Sequence, residues 1–191
     1  MDTQFTLFNK KLPFIYRGVV PGLINLLSCT ALAIAWESPM KGVFSLLQFV
    51  YPGLLFGFAL SIDTKGSLKA WGFIFSVGVI FSTASLVYVR SLFADSGSYP
   101  EFWLSCTLPS IISLILYKFL IDGKLLLTSA LVTFVPVSII ISLMPAIASA
   151  LEMIKGIGEI FAGLIFGVTI FLWEVSFVIA CYKFTRHDIR E

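Results

Sequence analysis

The chain has 191 residues, of which 58% are hydrophobic and only 13% charged, with a mean hydropathy of +0.98 and a formal net charge of +2. A soluble domain of this size carries about 25% charged residues, so the composition excludes an ordinary soluble fold and points to a chain that lives in a bilayer. The small net charge is not the footprint of a nucleic-acid binder, and no nucleic-acid partner is expected.

Residues 1–16 are expected to form a cytoplasmic or interfacial N-terminal segment, in which Phe5, Phe8 and Leu12 recur at helical spacing before Pro13. This piece reads either as a helix lying on the cytoplasmic interface or as a frayed tail. Six apolar runs follow, at 18–36, 43–62, 70–94, 102–121, 125–150 and 160–182. Each is near or above the ~20 residues that a helix needs to cross a bilayer. Helices satisfy their backbone polar groups within the segment, as lipid requires, and the runs lack the alternation of barrel strands. The expected fold is all-α, a polytopic bundle of six transmembrane helices, forming one integral membrane domain over 1–191 with a cytoplasmic tail at 183–191. In the first run Ala33, Ile34 and Ala35 resemble a cleavage site. The long leader and the interruptions at Pro21 and Asn25 argue instead for a retained helix.

Prolines punctuate the runs in order. Pro21, Pro52, Pro109 and Pro136 lie in runs 1, 2, 4 and 5, while runs 3 and 6 have none inside. Helices 1, 2, 4 and 5 are therefore expected to be Pro-distorted. The order repeats after three helices, and Pro21–Gly22 with its flanks resembles Pro109–Ser110 with its own. Two three-helix halves would make an inverted repeat, a plan in which transporters place their site near the midplane. Between runs 3 and 4 the polar stretch 94–101 reads as a connector or, as the longest loop on its side, a lid.

Basic residues set the threading. Lys10, Lys11, Arg17, Lys65, Lys69, Lys118, Lys124, Lys183, Arg186 and Arg190 fall on one side, against Lys41, Arg90 and Lys155 on the other. The positive-inside rule then makes both termini cytoplasmic in a cell-membrane protein. Lys118 is expected to snorkel to the headgroups. Trp36, Trp71 and Trp103, with Tyr16, Tyr88, Tyr117 and Tyr182, sit near run ends as an interfacial belt. Trp173 and Tyr51 break that pattern at mid-depth.

Glu174 is the outstanding residue, a carboxylate inside the last apolar run. Such a group costs at least a few kcal/mol unless protonated or paired. It lies nine residues from Lys183, or ~13 Å into a ~30 Å core. Asn25, Thr133 and Ser113, counted from Arg17, Lys124 and Asp122, fall at about 12–13 Å. The candidate ligand- or proton-binding set is Glu174, Asn25, Thr133, Ser113, Trp173 and Tyr51. Glu174 has three readings: a protonated acid setting helix register, a ligand or proton site, or a contact for a partner's basic residue. Gly163 and Gly167 share its face, and the pairs Gly53/Gly57 and Gly18/Gly22 have the same spacing, which permits close helix packing.

Cys29, Cys106 and Cys181 are scattered and form no CxxC pair, which argues against a disulfide framework or a redox centre. His187 is the only histidine and lies in the tail. No metal or other cofactor is expected, and no protease, phosphate-transfer or nucleotide motif suggests an enzyme. The functional expectation is a small transporter, a channel or a membrane-embedded substrate-capture subunit. The alternative is a non-catalytic partner protein (immunity, assembly or regulatory) that binds other transmembrane helices. Its surroundings are the lipid bilayer, with a membrane-protein partner or a homo-oligomer as the association to test.

Overall fold

A computed structural model describes residues 11–34, 41–64, 68–93, 99–150 and 158–185. Phe5, Phe8, Lys10, Trp36, Lys65, Lys155, Arg186, His187 and Arg190, and most of the 94–101 connection, lie outside the described residues. The described chain is helical: α1 Lys11–Ile34, α2 Lys41–Ser61, α3 Leu68–Phe93, α4 Tyr99–Leu116, α5 Leu127–Ala150 and α6 Gly158–Phe184. A π-helical turn, Tyr117–Ile121, continues α4.

Among the described residues, four helices carry an apolar stretch long enough to cross a membrane. These are Phe14–Ala31 of α1, Leu68–Val87 of α3, Leu127–Met144 of α5 and Leu164–Phe184 of α6. The expectation of six crossings is therefore corrected to about four. The described apolar parts of the other two are Val50–Ser61 and Thr107–Ile121, which rise only ~18 and ~22 Å against a ~30 Å core. The chain is a polytopic, all-α membrane protein.

The expected proline distortions are not found either. Helix continues through Pro21, Pro52, Pro109 and Pro136. A proline deletes one backbone donor, and within a bundle the neighbouring turns hold the helix. The irregular turn falls instead at Tyr117–Ile121, eight residues beyond Pro109, where the backbone changes from α to π spacing before the connection to α5.

Each helix packs on the next in the chain, and α6 packs on α1, so the six close into a ring. Outward-facing residues such as Leu27, Val79, Val132 and Ile140 are exposed and apolar, as a lipid-facing surface requires. Inside the ring, Phe56, Phe73, Tyr117, Phe134, Trp173 and Phe177 are buried. Phe134–Phe177 and Phe56–Phe177 meet edge to face with centroids 5.3 and 5.4 Å apart, and Trp173 stacks on Phe177 at 5.5 Å, geometries favoured by the ring quadrupoles.

Two seams are built on glycine. A Cβ on Gly18 would stand 2.9 Å from the Glu174 carbonyl oxygen, and one on Gly22 would stand 3.2 Å from Phe171 Cα. From the other side, a Cβ on Gly167 would meet Leu26 Cα at 3.0 Å. Backbones of α1 and α6 thus touch where side chains would hold them apart. The α2–α3 seam repeats this, with Gly53 against the Val77 carbonyl oxygen at 2.9 Å and Gly57 against Ile74 Cα at 2.9 Å. Gly163 lies in α6 outside the residues whose side-chain surroundings are described.

One end of the ring gathers the start of α1 and the end of α6. Phe14 packs on Tyr182, and Arg17 is paired with Asp63. Asp122 accepts hydrogen bonds from Thr185 Oγ1 at 3.1 Å and from the Lys124 backbone N–H at 3.0 Å, while the Leu126 N–H donates to the Phe184 carbonyl at 2.9 Å. Lys118 does not snorkel outward. Its ammonium turns back to donate to the Leu125 carbonyl at 2.7 Å, capping the connection that the π turn opens.

The glycine seam gives a direct test. Gly22→Val forces a side chain into the α1–α6 contact and is expected to cost ~1–3 kcal/mol, the usual range for overpacking. Gly72→Ala, where a Cβ meets nothing within 4 Å, is expected to be neutral or to stabilise by up to about 1 kcal/mol. Reversible unfolding in mixed micelles measures both.

Candidate functional site

The apolar stretch of α6 runs Leu164–Phe184, 21 residues, or about 30 Å of helix. Trp173 and Glu174 occupy its middle. Successive helical residues point about 100° apart, so these two neighbours face different partners. Both are buried.

Glu174 turns toward α1. Its Oε1 accepts a hydrogen bond from Asn25 Nδ2 at 2.7 Å, and both residues have no exposed surface. Asn has a short side chain, and it reaches α6 because Gly18, Gly22 and Gly167 thin the seam. Glu174 Oε2 points to the Gly22 position, 3.3 Å from where a Cβ would sit. Oε2 and Asn25 Oδ1 are buried without a hydrogen-bond partner. The Tyr51 hydroxyl of α2 is a third such atom. It faces the stretch of α1 that carries Ser28 and Cys29, one turn along from Asn25. A carboxylate oxygen and an amide oxygen thus lie unpartnered together at the α1–α6 contact, and a phenol oxygen of α2 lies unpartnered against the same part of α1.

Trp173 turns toward α4 and α5. Its indole N–H donates to Ser110 Oγ at 3.1 Å, Ser110 donates to Ser138 Oγ at 2.9 Å, and Ser138 donates to the Val135 carbonyl at 2.8 Å. Ser142 donates to the Ser138 carbonyl at 2.7 Å. Over this chain lies a partly open cavity of about 70 Å³ lined by ten residues, including Ser85, Ser105, Ser142, Thr169 and Trp173. The lining has hydroxyls and aromatic and aliphatic surface but no formal charge. On the side of the chain termini the cavity ends on the ring cluster beneath Trp173, with Phe56 at 5.7 Å and Phe134 at 5.4 Å.

Of the residues singled out by sequence, Asn25 and Glu174 touch, Tyr51 faces the same part of α1, and Trp173 is adjacent to Glu174 on a different face of α6. Ser113 is buried on α4, three residues along from Ser110, and Glu174 bonds Asn25 rather than Ser113. Thr133 does not join the layer, since it is exposed on α5. Depth fixed its height and said nothing of its azimuth: Thr133 precedes the buried Phe134 by one residue, and so by about 100°. Azimuth also reveals what depth alone misses. Ser138 and Ser142 fall four and eight residues after Phe134 and share its buried face, and Ser110 falls seven before the buried Tyr117. Among the described residues, no group of three or more His, Cys, Asp or Glu side chains is placed to hold a metal ion. Comparison with known proteins returned no matching family model, no matching curated protein and no matching solved structure.

The relay predicts unequal sensitivities. Trp173→Phe keeps the ring stack and loses the donor, and Ser138→Ala removes two hydrogen bonds. Each lost bond is expected to cost ~0.5–1.5 kcal/mol. Thr133→Val, on the exposed face, is expected to stay within about 0.5 kcal/mol of wild type. Unfolding free energies of the three variants in the same micelles check the ordering.

Proposed function

We propose that this protein binds and passes, or captures for a larger transporter, a small uncharged polar solute. The observation that carries this reading is the hydroxyl-lined cavity ending on Trp173, closed on its far side by packed aromatic rings. A partly open pocket with a sealed floor is the shape of a solute site accessible from one side. Its small volume and uncharged lining favour a solute of few heavy atoms with hydrogen-bonding groups. The role is non-catalytic: binding and passage need only the hydroxyls and the indole. Following the distribution of Lys and Arg, we place both termini in the cytoplasm, so the cavity opens outward.

The alternative, a protein that binds other transmembrane helices, needs a small-residue face left free. Gly18, Gly22, Gly53, Gly57 and Gly167 are all in contact with helices of this same chain, which favours the solute reading.

Two measurements test it. Purified protein in proteoliposomes is challenged with urea, acetamide and glycerol while Trp173 fluorescence and osmotic swelling are followed, with Trp173→Phe as the spectroscopic control. A saturable fluorescence change or a solute flux is expected, reduced about tenfold in Ser142→Leu, which corresponds to ~1.4 kcal/mol. The absence of both responses across small neutral solutes would remove the reading. Orientation is tested by Gly123→Cys in a background lacking native cysteines. A membrane-impermeant maleimide is expected to label it only after the cytoplasmic face is opened, and labelling in intact cells would reverse the threading.

A further inference from the structure

The corner shared by α1, α2 and α6 is separate from the hydroxyl-lined cavity, and the solute reading does not use it. Glu174 and Asn25 have no exposed surface. Each keeps one oxygen that no donor reaches, Oε2 and Oδ1, and the buried Tyr51 hydroxyl of α2, facing the next turn of α1, also lacks a partner. Buried polar atoms in folded proteins are nearly always satisfied, so the two left over at the Asn25–Glu174 contact, with a third facing the same stretch of α1, point to a ligand. Two are oxygens that only accept unless the carboxyl is protonated, and the third both donates and accepts. The complement of that set is positive, a species that neutralises the carboxylate and engages the oxygens around it. A buried carboxylate with one hydrogen bond is otherwise an expensive group at the centre of a bilayer.

We infer that the Glu174–Asn25–Tyr51 corner is a site for an exchangeable monovalent cation, with Glu174 Oε2 as the charged ligand. Asn25 Nδ2 holds Oε1 at 2.7 Å, which fixes the carboxylate plane and leaves Oε2 for the cation. Asn25 Oδ1 and the Tyr51 hydroxyl oxygen complete the side-chain donors. The chemistry shared by a proton and a sodium ion is the same here: one positive charge, taken up by one carboxylate among neutral oxygens. The other titratable group facing the corner from α1 is Cys29, which acts electrostatically on Tyr51. α2 contributes Tyr51 itself, and α6 contributes Glu174.

The test is infrared difference spectroscopy on the full chain in proteoliposomes, and it is independent of any solute flux. One arm steps pH without sodium, and the other steps sodium chloride against choline chloride at fixed pH. In the first arm a carboxylic-acid carbonyl band that appears on acidification, shifts in deuterium oxide and vanishes in Glu174→Gln identifies a proton. In the second arm a sodium-dependent change of the carboxylate bands, again absent in Glu174→Gln, identifies sodium. Tyr51→Phe removes one hydroxyl with little steric change and guards against a misfolded Glu174→Gln. It is expected to shift the midpoint of whichever transition is seen by about threefold to tenfold in cation concentration, within the range of one lost hydrogen bond. A Glu174 band that responds to neither pH nor sodium, or a transition unmoved by Tyr51→Phe, would overturn the site. Solute binding surviving that failure would leave the cavity reading intact.

Discussion

The α1–α6 contact determines the rest of this structure. A ring of helices in chain order has one closure that the connections do not enforce, and here it joins the first helix to the last. Lipid supplies no hydrophobic force to drive that closure, so it rests on close packing and buried hydrogen bonding. The glycines provide the first and the Asn25–Glu174 bond provides the second. The two are coupled by geometry, because Asn25 reaches the carboxylate only while the backbones touch.

Closure in turn fixes the interior. Once α6 is held against α1, its opposite flank delivers Trp173 and Phe177 to the middle of the ring, where rings from α2 and α5 and the π turn pack around them. The indole N–H then finds Ser110, and the serines of α4 and α5 extend that bond across the bundle. Two consecutive residues of one helix thereby tie both halves of the ring at mid-depth. The cavity exists because small side chains, Ala84, Ser85, Ser105 and Ser142, surround the indole where larger ones would fill the space.

The sequence made the membrane, the all-helical character and the pairing of Glu174 with Asn25's depth legible, because hydropathy and helical rise are one-dimensional quantities. It overstated the number of crossings, since run length counted apolar composition in α2 and α4 whose described apolar parts, Val50–Ser61 and Thr107–Ile121, fall short of spanning length. It misjudged the prolines because a bundle supports a helix through a lost donor. Thr133 failed because depth carries no azimuth, and Lys118 because a nearby carbonyl is a better partner for its ammonium than distant headgroups. The serine relay was open to discovery from the spacing of Phe134, Ser138 and Ser142, which share one helical face.

The central claim is that Asn25 and Glu174 act as one unit that locks the first helix to the last. A double-mutant cycle on unfolding in bilayers or mixed micelles, with Asn25→Ala, Glu174→Ala and the pair, measures it most directly. Buried hydrogen bonds between membrane helices couple by ~0.6 kcal/mol on average and up to about 1.7 kcal/mol, and a carboxylate partner in a seam this close is expected at the upper end. Additive single effects, with coupling indistinguishable from zero, would contradict the account.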